Sequence, residues 1–327
     1  MTGSTLNMHY TIADPKTFGI SEYEPVLPIY HSGQPEDSKE HCSDLLHRLD
    51  RIDPDRLSPE NAYTYRLLHR SLENDLALAD FPYYNEPLSP SSGMQSQLPV
   101  LLAEYTFRTK RDVTDYLALL DQIDDYFSSL LLYEQEKAAA GFFMPACSSE
   151  KVRKQCDTIV TTEELAQGTH FLQTTFEDRL SELQKQGLFT PKETASLIET
   201  NDRLLATVVQ PAYAALSEGL HSLETSTNAD STASETTANA ASGKNNSVHN
   251  GLPKGLALLP DGKTYYLHLL FSETGSSRSE KELVQMLLVQ FQKEQSAIRY
   301  LASQSPSLIT LLSEENTAVF PLAEPEE

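Results

Sequence analysis

Nine histidines are the residues of this sequence best suited to binding a catalytic metal. Zincin-type peptidases carry two histidines one helical turn apart, in the pattern H-E-x-x-H, and the glutamate beside the first histidine activates water. No two histidines of this chain have that spacing, and no glutamate directly follows a histidine. The sequence therefore predicts no metal ligands and no catalytic residues in this chain. The histidines are His9, His31, His41, His47, His69, His170, His221, His249 and His268.

Three looser groupings of possible ligands have simpler interpretations. His221 and Glu224 form an H-x-x-E pair, but they adjoin a low-complexity segment that would not hold metal ligands rigidly. His69 and Glu73 are four residues apart, which favours a surface pair on one helix. The last grouping places its histidines on different helix faces and favours a solvated surface: His41, Cys42 and His47.

The charge balance excludes one class of partner. The chain has 47 acidic residues against 25 basic ones and a formal net charge of −22. Binding to phosphate backbones requires clustered Lys and Arg, and no basic run interleaved with aromatic residues is present, so we exclude nucleic-acid binding.

No apolar run approaches the ~20 residues of a membrane-spanning helix, so we expect no transmembrane segment. The first ten residues lack a signal-peptide pattern, so the sequence as written is typical of a cytoplasmic protein, although its true location stays unknown.

Helix signals occupy most of the chain. The strongest apolar stripe begins after Thr109 and runs toward Gly141. Pro211 is expected to kink the helix that contains it, because proline lacks the N–H that continues the hydrogen-bond ladder. Three capping boxes predict helix starts: Thr109 with Asp112, Thr190 with Glu193, and Ser279 with Glu282.

From these patterns we predict a mainly α fold, a multi-helix array with a short β-hairpin near the C-terminal end. The N-terminal helical region covers 1–220 and begins with an extended arm at 1–35. Residues 221–252 are rich in Ser, Thr, Ala and Asn and are interpreted as a flexible linker or insertion. Residues 253–327 would hold the hairpin and a helix, as the start of an incomplete second region.

Two tyrosine pairs are the candidate binding residues. Tyr265 and Tyr266 follow the turn signature Pro-Asp-Gly at residues 260–262, which lies between the apolar runs LALL and TYYLHLLF and predicts the β-hairpin. Tyr83 and Tyr84 lie in a long loop rich in Pro, Tyr, Asn and Ser between two helices. Long structureless loops in compact domains often line a site, and a surface excursion is the alternative.

Four stretches of the chain, in order, resemble the bacterial family known as domain of unknown function 885. They are LNMHYTIADPKTFGI at 6–20, LPVLLAEYTFRTKRDVTDYLALLDQIDDYF at 98–127, GFFMP at 141–145 and GLALLPDGKTYYLHLLFSETGSSRSEKEL at 255–283. The resemblance is to the N-terminal part of the family. It covers most of the chain apart from the low-complexity segment and the acidic C-terminal tail.

This resemblance implies a largely helical, zincin-like fold and a zinc-dependent peptidase or carboxypeptidase. Members often carry a secretion or lipoprotein leader, and their metal motif lies in a later part of the protein than this chain reaches. Tyr265 and Tyr266 match the family's paired tyrosines, and a tyrosine hydroxyl near zinc would donate to a developing oxyanion. Packing of these aromatic side chains into a sheet is the alternative. The loop of Tyr83 and Tyr84 would line a substrate groove.

Our first hypothesis is therefore a non-catalytic N-terminal portion of a zinc-dependent peptidase-like protein that forms part of a substrate cleft. No cofactor is expected in this chain, and zinc is expected only in a complete family member. The expected partners are a peptide or amide substrate and the missing C-terminal portion. The alternative is a stand-alone helical binding module without enzymatic activity. A third reading is an enzyme with a non-metal site, which perturbed acids clustered in one pocket would support.

Overall fold

A computed structural model describes residues 4–31, 34–238, 256 and 259–304 of the chain. The described residues are mainly helical and contain no β-strand. Short 3₁₀-helices cover Pro15–Phe18 and Pro54–Arg56, and a π-helix covers Leu205–Val209. The α-helices are α1 (Thr5–Thr11), α2 (Gln34–Leu49), α3 (Pro59–Leu78), α4 (Met94–Ala103), α5 (Lys110–Leu120), α6 (Ile123–Ala139), α7 (Ala146–Ile159), α8 (Thr162–Gln167), α9 (Phe171–Lys185), α10 (Pro191–Leu204), α11 (Gln210–Ala238), α12 (Gly262–Thr274) and α13 (Glu280–Gln304).

The predicted helix starts are confirmed at the level of individual hydrogen bonds. Thr109 and Asp112 form a reciprocal capping box at the start of α5, and Thr190 and Glu193 form one at the start of α10. At the start of α13 the Ser279 backbone N–H donates to the Glu282 carboxylate at 2.8 Å. Each box satisfies backbone donors that have no partner inside the helix, which fixes where the helix begins.

The long helix predicted between Thr109 and Gly141 is two helices. α5 ends at Leu120 and α6 begins at Ile123, so the helix is interrupted at residues 121–122 within the apolar stripe. Gly141 then follows the end of α6 with a φ of +83°, a left-handed conformation that glycine adopts without steric cost. The predicted stripe is otherwise confirmed, because Val113, Tyr116 and Phe127 are buried.

The core forms where α11 crosses α6 and α7. The Phe127 ring of α6 meets the Tyr213 ring of α11 edge-on at 4.8 Å, and the Tyr213 hydroxyl donates to the Gln95 carbonyl at 2.8 Å. At Gly219 the α6 helix comes so close that a Cβ would lie 2.3 Å from a Leu131 methyl carbon. These contacts hold α6 rigidly, and α6 carries part of the site described below.

A π-helical turn lies directly before Pro211, and the kink at this proline stays a prediction. Over Leu205–Val209 the backbone widens, and the Gln210 N–H donates to the Leu205 carbonyl five residues earlier. Proline removes a donor from the ladder, and a widened turn is one way in which a helix accommodates that loss.

The predicted β-hairpin is wrong. Residues 262–274 form α12, and its start is marked by Asp261, whose φ is +55° and whose carbonyl accepts from the Thr264 and Tyr265 N–H groups. The run TYYLHLLF is continuously apolar rather than alternating, and such a run fits a helix as well as a buried strand. The Pro-Asp-Gly signature therefore leads into a helix instead of turning between strands.

The chain divides into two compact units, Met1–Tyr265 and Tyr266–Glu327. Within the segment predicted as a linker, residues 221–238 continue α11, and residues 239–252 lie outside the described part of the chain. The predicted arm contains α1 and a 3₁₀ turn, followed by residues 20–31, which form neither helix nor strand.

A membrane-spanning segment would need a long, uniformly apolar helix. Within the described ranges, no helix meets that requirement.

Candidate functional site

A buried ionic cluster joins α6 to the loop that precedes α4. Lys137 is 1% exposed, and its ammonium nitrogen Nζ lies 2.8 Å from Glu86 Oε2 and 3.3 Å from Glu134 Oε1. Glu134 precedes Lys137 by one helical turn on α6 and is fully buried, whereas the Glu86 side chain is 36% exposed. Two carboxylates thus share one ammonium group, and only Glu86 reaches solvent.

This arrangement favours a protonated carboxyl. Burial raises the pKa of Glu134 to about 8, the Lys137 ammonium opposes that rise, and the Glu86 carboxylate adds to it. Burial likewise raises the pKa of Glu86, against the attraction of Lys137. Glu134 Oε2 is buried without a hydrogen-bond partner, so an ionised carboxylate would be left uncompensated there, which disfavours the charged form.

The loop between α3 and α4 places aromatic rings beside the cluster. The Tyr84 ring centroid lies 5.1 Å from that of Phe142 and 4.4 Å from that of Tyr265. Tyr83 has a φ of +69°, which is rare for a residue with a bulky side chain and is characteristic of functional or strained positions. Its ring lies 5.9 Å from the Tyr133 ring of α6.

The far end of this loop is anchored to the helical core. The Met94 N–H donates to the Pro87 carbonyl at 2.8 Å, and the Gln155 amide of α7 donates to the Pro90 carbonyl at 2.8 Å. A Cβ on Gly93 would meet the Ser89 backbone at 2.3 Å, so the close return of the chain requires glycine there. The loop is therefore an ordered wall, whose conformation is fixed by named contacts.

The loop and the turn after α6 enclose a cavity of about 390 Å³, which we call the aromatic pocket. Its volume is within the range of small-molecule and side-chain binding sites. Its walls combine aromatic faces, a thioether and one partly exposed carboxylate. The lining residues are Tyr83, Tyr84, Glu86, Gly141, Phe142, Phe143, Met144, Pro145, Leu256 and Leu259.

Three of the four tyrosines singled out from the sequence lie together. Tyr83 and Tyr84 line the aromatic pocket, and Tyr265 stacks beside Tyr84. Tyr266 belongs to the second compact unit and is 39% exposed. Binding of a substrate by any of these tyrosines stays a prediction.

Sequence reasoning missed the charged members of the site. Glu134 and Lys137 are three residues apart, a spacing that ordinarily indicates a solvated pair on a helix surface. One feature of the sequence could have indicated their burial: Glu134 and Lys137 directly follow the strongest apolar stripe of the chain. Glu86 lies two residues after Tyr84 in a loop already marked as a candidate groove, yet its link to Lys137 depends on tertiary structure.

The looser ligand groupings found in the sequence have other partners. His69 contacts Glu73 at 3.3 Å, which confirms the predicted surface pair, and its other ring nitrogen lies 3.2 Å from Asp50. Glu224 contacts the Arg153 guanidinium at 3.2 Å. Across the described residues, no group of three or more His, Cys, Asp or Glu side chains is placed to hold a metal ion.

The described residues thus define a mainly α-helical protein with an aromatic pocket that contains a carboxyl group. The sequence profile of the family described as "Bacterial protein of unknown function (DUF885)" matches residues 16–319, and the chain belongs to that family. No curated protein matches it significantly.

Among solved structures, the chain is similar to the "putative lipoprotein" from Colwellia psychrerythraea. The TM-score is 0.67 at 15% sequence identity, which establishes a shared fold. The match covers 92% of this chain but 48% of the Colwellia chain, so this chain spans about half the length of that protein.

The buried carboxyl predicts a specific dependence of stability on pH. The pKa of Glu134 is about 8 in the folded chain, against an ordinary value of 4.5, so the folded state binds this proton more tightly than the unfolded state. The free energy of unfolding should therefore fall as pH rises from about 4.5 to about 8, with a slope of at most about 1.4 kcal/mol per pH unit for one proton. Glu134→Gln abolishes this titration, so its stability relative to the wild type should increase across that window. Urea unfolding at several pH values measures the difference.

Glu177→Gln is the matched control, because it removes an exposed carboxylate on α9 with the same chemistry. Its stability difference from the wild type should change little over the same pH range. Parallel pH profiles for the Glu134 and Glu177 variants would contradict the assignment of a buried, protonated Glu134.

Proposed function

We propose that this chain forms one wall of the peptide-binding cleft of a larger zinc-peptidase-like protein, as its non-catalytic helical portion. The observation that carries the proposal is the aromatic pocket, an ordered concave site lined by Tyr83, Tyr84 and Phe142 and containing the Glu86 carboxylate. Rigid aromatic walls with few polar groups are typical of sites that bind side chains or small organic ligands. Peptides or related amides are the substrate class that the family resemblance implies.

The described part of this chain does not fit a zinc site. No cluster of His, Cys, Asp and Glu with the geometry of a metal centre is present among the described residues, and the sequence lacks H-E-x-x-H. We therefore assign no zinc-dependent step to these residues. In our proposal, the zinc ligands of the complete protein come from polypeptide outside this chain.

Exposed apolar side chains on α13 support a larger assembly. In α13 the apolar side chains recur at the three- and four-residue spacing of a helix that packs against a partner, and they are about half to two thirds exposed. Large exposed apolar side chains clustered in this way are typical of an interaction site in soluble proteins. The exposed residues are Val284, Met286, Leu287, Leu288, Val289, Phe291, Ile298, Tyr300 and Leu301.

We assign one occupant to this face, a further helical portion of the same protein. The related Colwellia structure is about twice as long as this chain, so a protein of this fold carries enough additional polypeptide to cover such a helix. The rival reading is a stand-alone binding module, for which an exposed apolar helix would be a liability in solution.

Charge placed on the α13 face should abolish self-association of the isolated chain. Without its covering polypeptide, the wild-type chain should form concentration-dependent, heterogeneous oligomers driven by apolar burial. The double variant Leu287→Glu, Phe291→Glu should be monomeric over a tenfold higher concentration range. Size-exclusion chromatography with light scattering measures this.

The control variant Gln285→Glu, Gln292→Glu adds the same two charges to exposed polar positions of the same helix. It should self-associate as the wild type does. A wild-type chain that is monomeric and melts cooperatively would overturn the larger-assembly proposal in favour of a stand-alone module. A wild type that forms a single stable dimer would overturn it in favour of a second copy on this face.

Metal analysis tests the absence of zinc ligands from this chain. After incubation with zinc and removal of free metal by gel filtration, the full chain should retain far less than one zinc per molecule and should not hydrolyse peptides. Inductively coupled plasma mass spectrometry and a fluorogenic peptide assay measure the two quantities. One tightly held zinc per molecule together with peptide hydrolysis would contradict the proposal.

A further inference from the structure

We propose that the aromatic pocket recognises a positively charged side chain of the bound peptide, an ammonium group such as that of lysine. This inference rests on the proposed peptide-binding function and names the chemical class that the pocket accepts.

The aromatic walls favour a cation over a neutral group. The Tyr84 and Phe142 rings meet at a centroid distance of 5.1 Å and an angle of 61°, and the Tyr83 ring lies 6.3 Å from Phe142. All three side chains are half-buried and line the cavity. The negative faces of such rings attract an ammonium group within about 6 Å of their centroids.

Glu86 is the carboxyl of the ionic cluster that reaches solvent and lines the pocket. Glu134 is buried and protonated at neutral pH, so Lys137 and an ionised Glu86 form a neutral pair, and the Glu86 side chain is 36% exposed. A ligand ammonium beside Glu86 would give this carboxylate a second cationic partner and donate hydrogen bonds to it.

Other ligand classes fit less well. Lys137 is 1% exposed, so an anionic ligand would meet the Glu86 carboxylate rather than the lysine, in a chain with a net charge of −22. A purely apolar ligand would displace water from the Glu86 carboxylate without replacing the hydrogen bonds that the water makes. Leaving a carboxylate without these hydrogen bonds costs free energy. A cation with an aliphatic stem satisfies the rings, the apolar walls and the carboxylate together.

A comparison of a lysine peptide with a norleucine peptide separates the contribution of the ammonium group to binding from that of the aliphatic chain. Acetyl-Gly-Lys-Gly-amide and acetyl-Gly-norleucine-Gly-amide share the same four-carbon side chain, but norleucine ends in a methyl group and lacks the terminal ammonium. We expect the full chain to bind the lysine peptide about tenfold more tightly, with NMR shift changes confined to residues of the aromatic pocket. Glu86→Gln should reduce this preference to about twofold or less.

Two further variants keep the result interpretable. Glu104→Gln removes an exposed carboxylate at the end of α4 outside the pocket and should keep the wild-type preference. Because Glu86→Gln weakens the pairing of Lys137 and can destabilise the fold, Phe142→Leu provides an independent test. It keeps an apolar wall but removes one ring, and it should lower the lysine preference severalfold.

The outcomes separate the two proposals. Equal or stronger binding of norleucine, or an unchanged preference in both Glu86→Gln and Phe142→Leu, would overturn the cation-binding inference and leave the peptide cleft standing. Failure of both peptides to bind the folded wild-type chain at millimolar concentration would overturn the inference and the cleft together.

Discussion

The buried ammonium of Lys137 is the constraint on which the site depends. A charge removed from water in this way is tolerated only with close partners of opposite sign. One partner, Glu134, comes from the same helix, but its own burial favours protonation and weakens it as a counter-ion. The second partner, Glu86, lies on a distant loop, 51 residues earlier in the chain, and must approach to 2.8 Å. This requirement holds the tyrosine loop against the end of α6, where Tyr84 faces Phe142 across the aromatic pocket.

The packing of α6 explains why this one helix can position the residues of the pocket. α6 packs closely against α11, where a Cβ at position 219 would lie 2.3 Å from the Leu131 side chain, and α7 anchors the far end of the loop through Gln155. Similar helical packing with little sequence identity, as in the Colwellia structure, shows that the fold tolerates extensive substitution. The pocket, in contrast, depends on a few residues of particular charge and shape, so its function has to be argued from those residues rather than from the fold.

Local signals in the sequence predicted local structure well. The capping boxes at Thr109 and Thr190 and the buried stripe through Tyr116 follow from hydrogen bonding and helix periodicity alone. Where the outcome depends on a distant partner, the same reasoning failed. The run after Gly262 is a helix, although its apolar pattern suits a strand equally. Periodicity identifies an apolar face but not what covers it, and the buried link between Lys137 and Glu86 has no local signature.

The central claim is that the buried ionic cluster fixes the loop as a pocket wall. Amide hydrogen exchange in Lys137→Met tests it most directly, because the Gly93 and Met94 N–H groups donate within the loop to the Ser89 and Pro87 carbonyls. We expect these amides to exchange at least ~10-fold faster in Lys137→Met than in the wild type, whereas the exchange rates of amides in α7 and α11 should change much less. Loop protection equal to that of the wild type in the folded variant would contradict it.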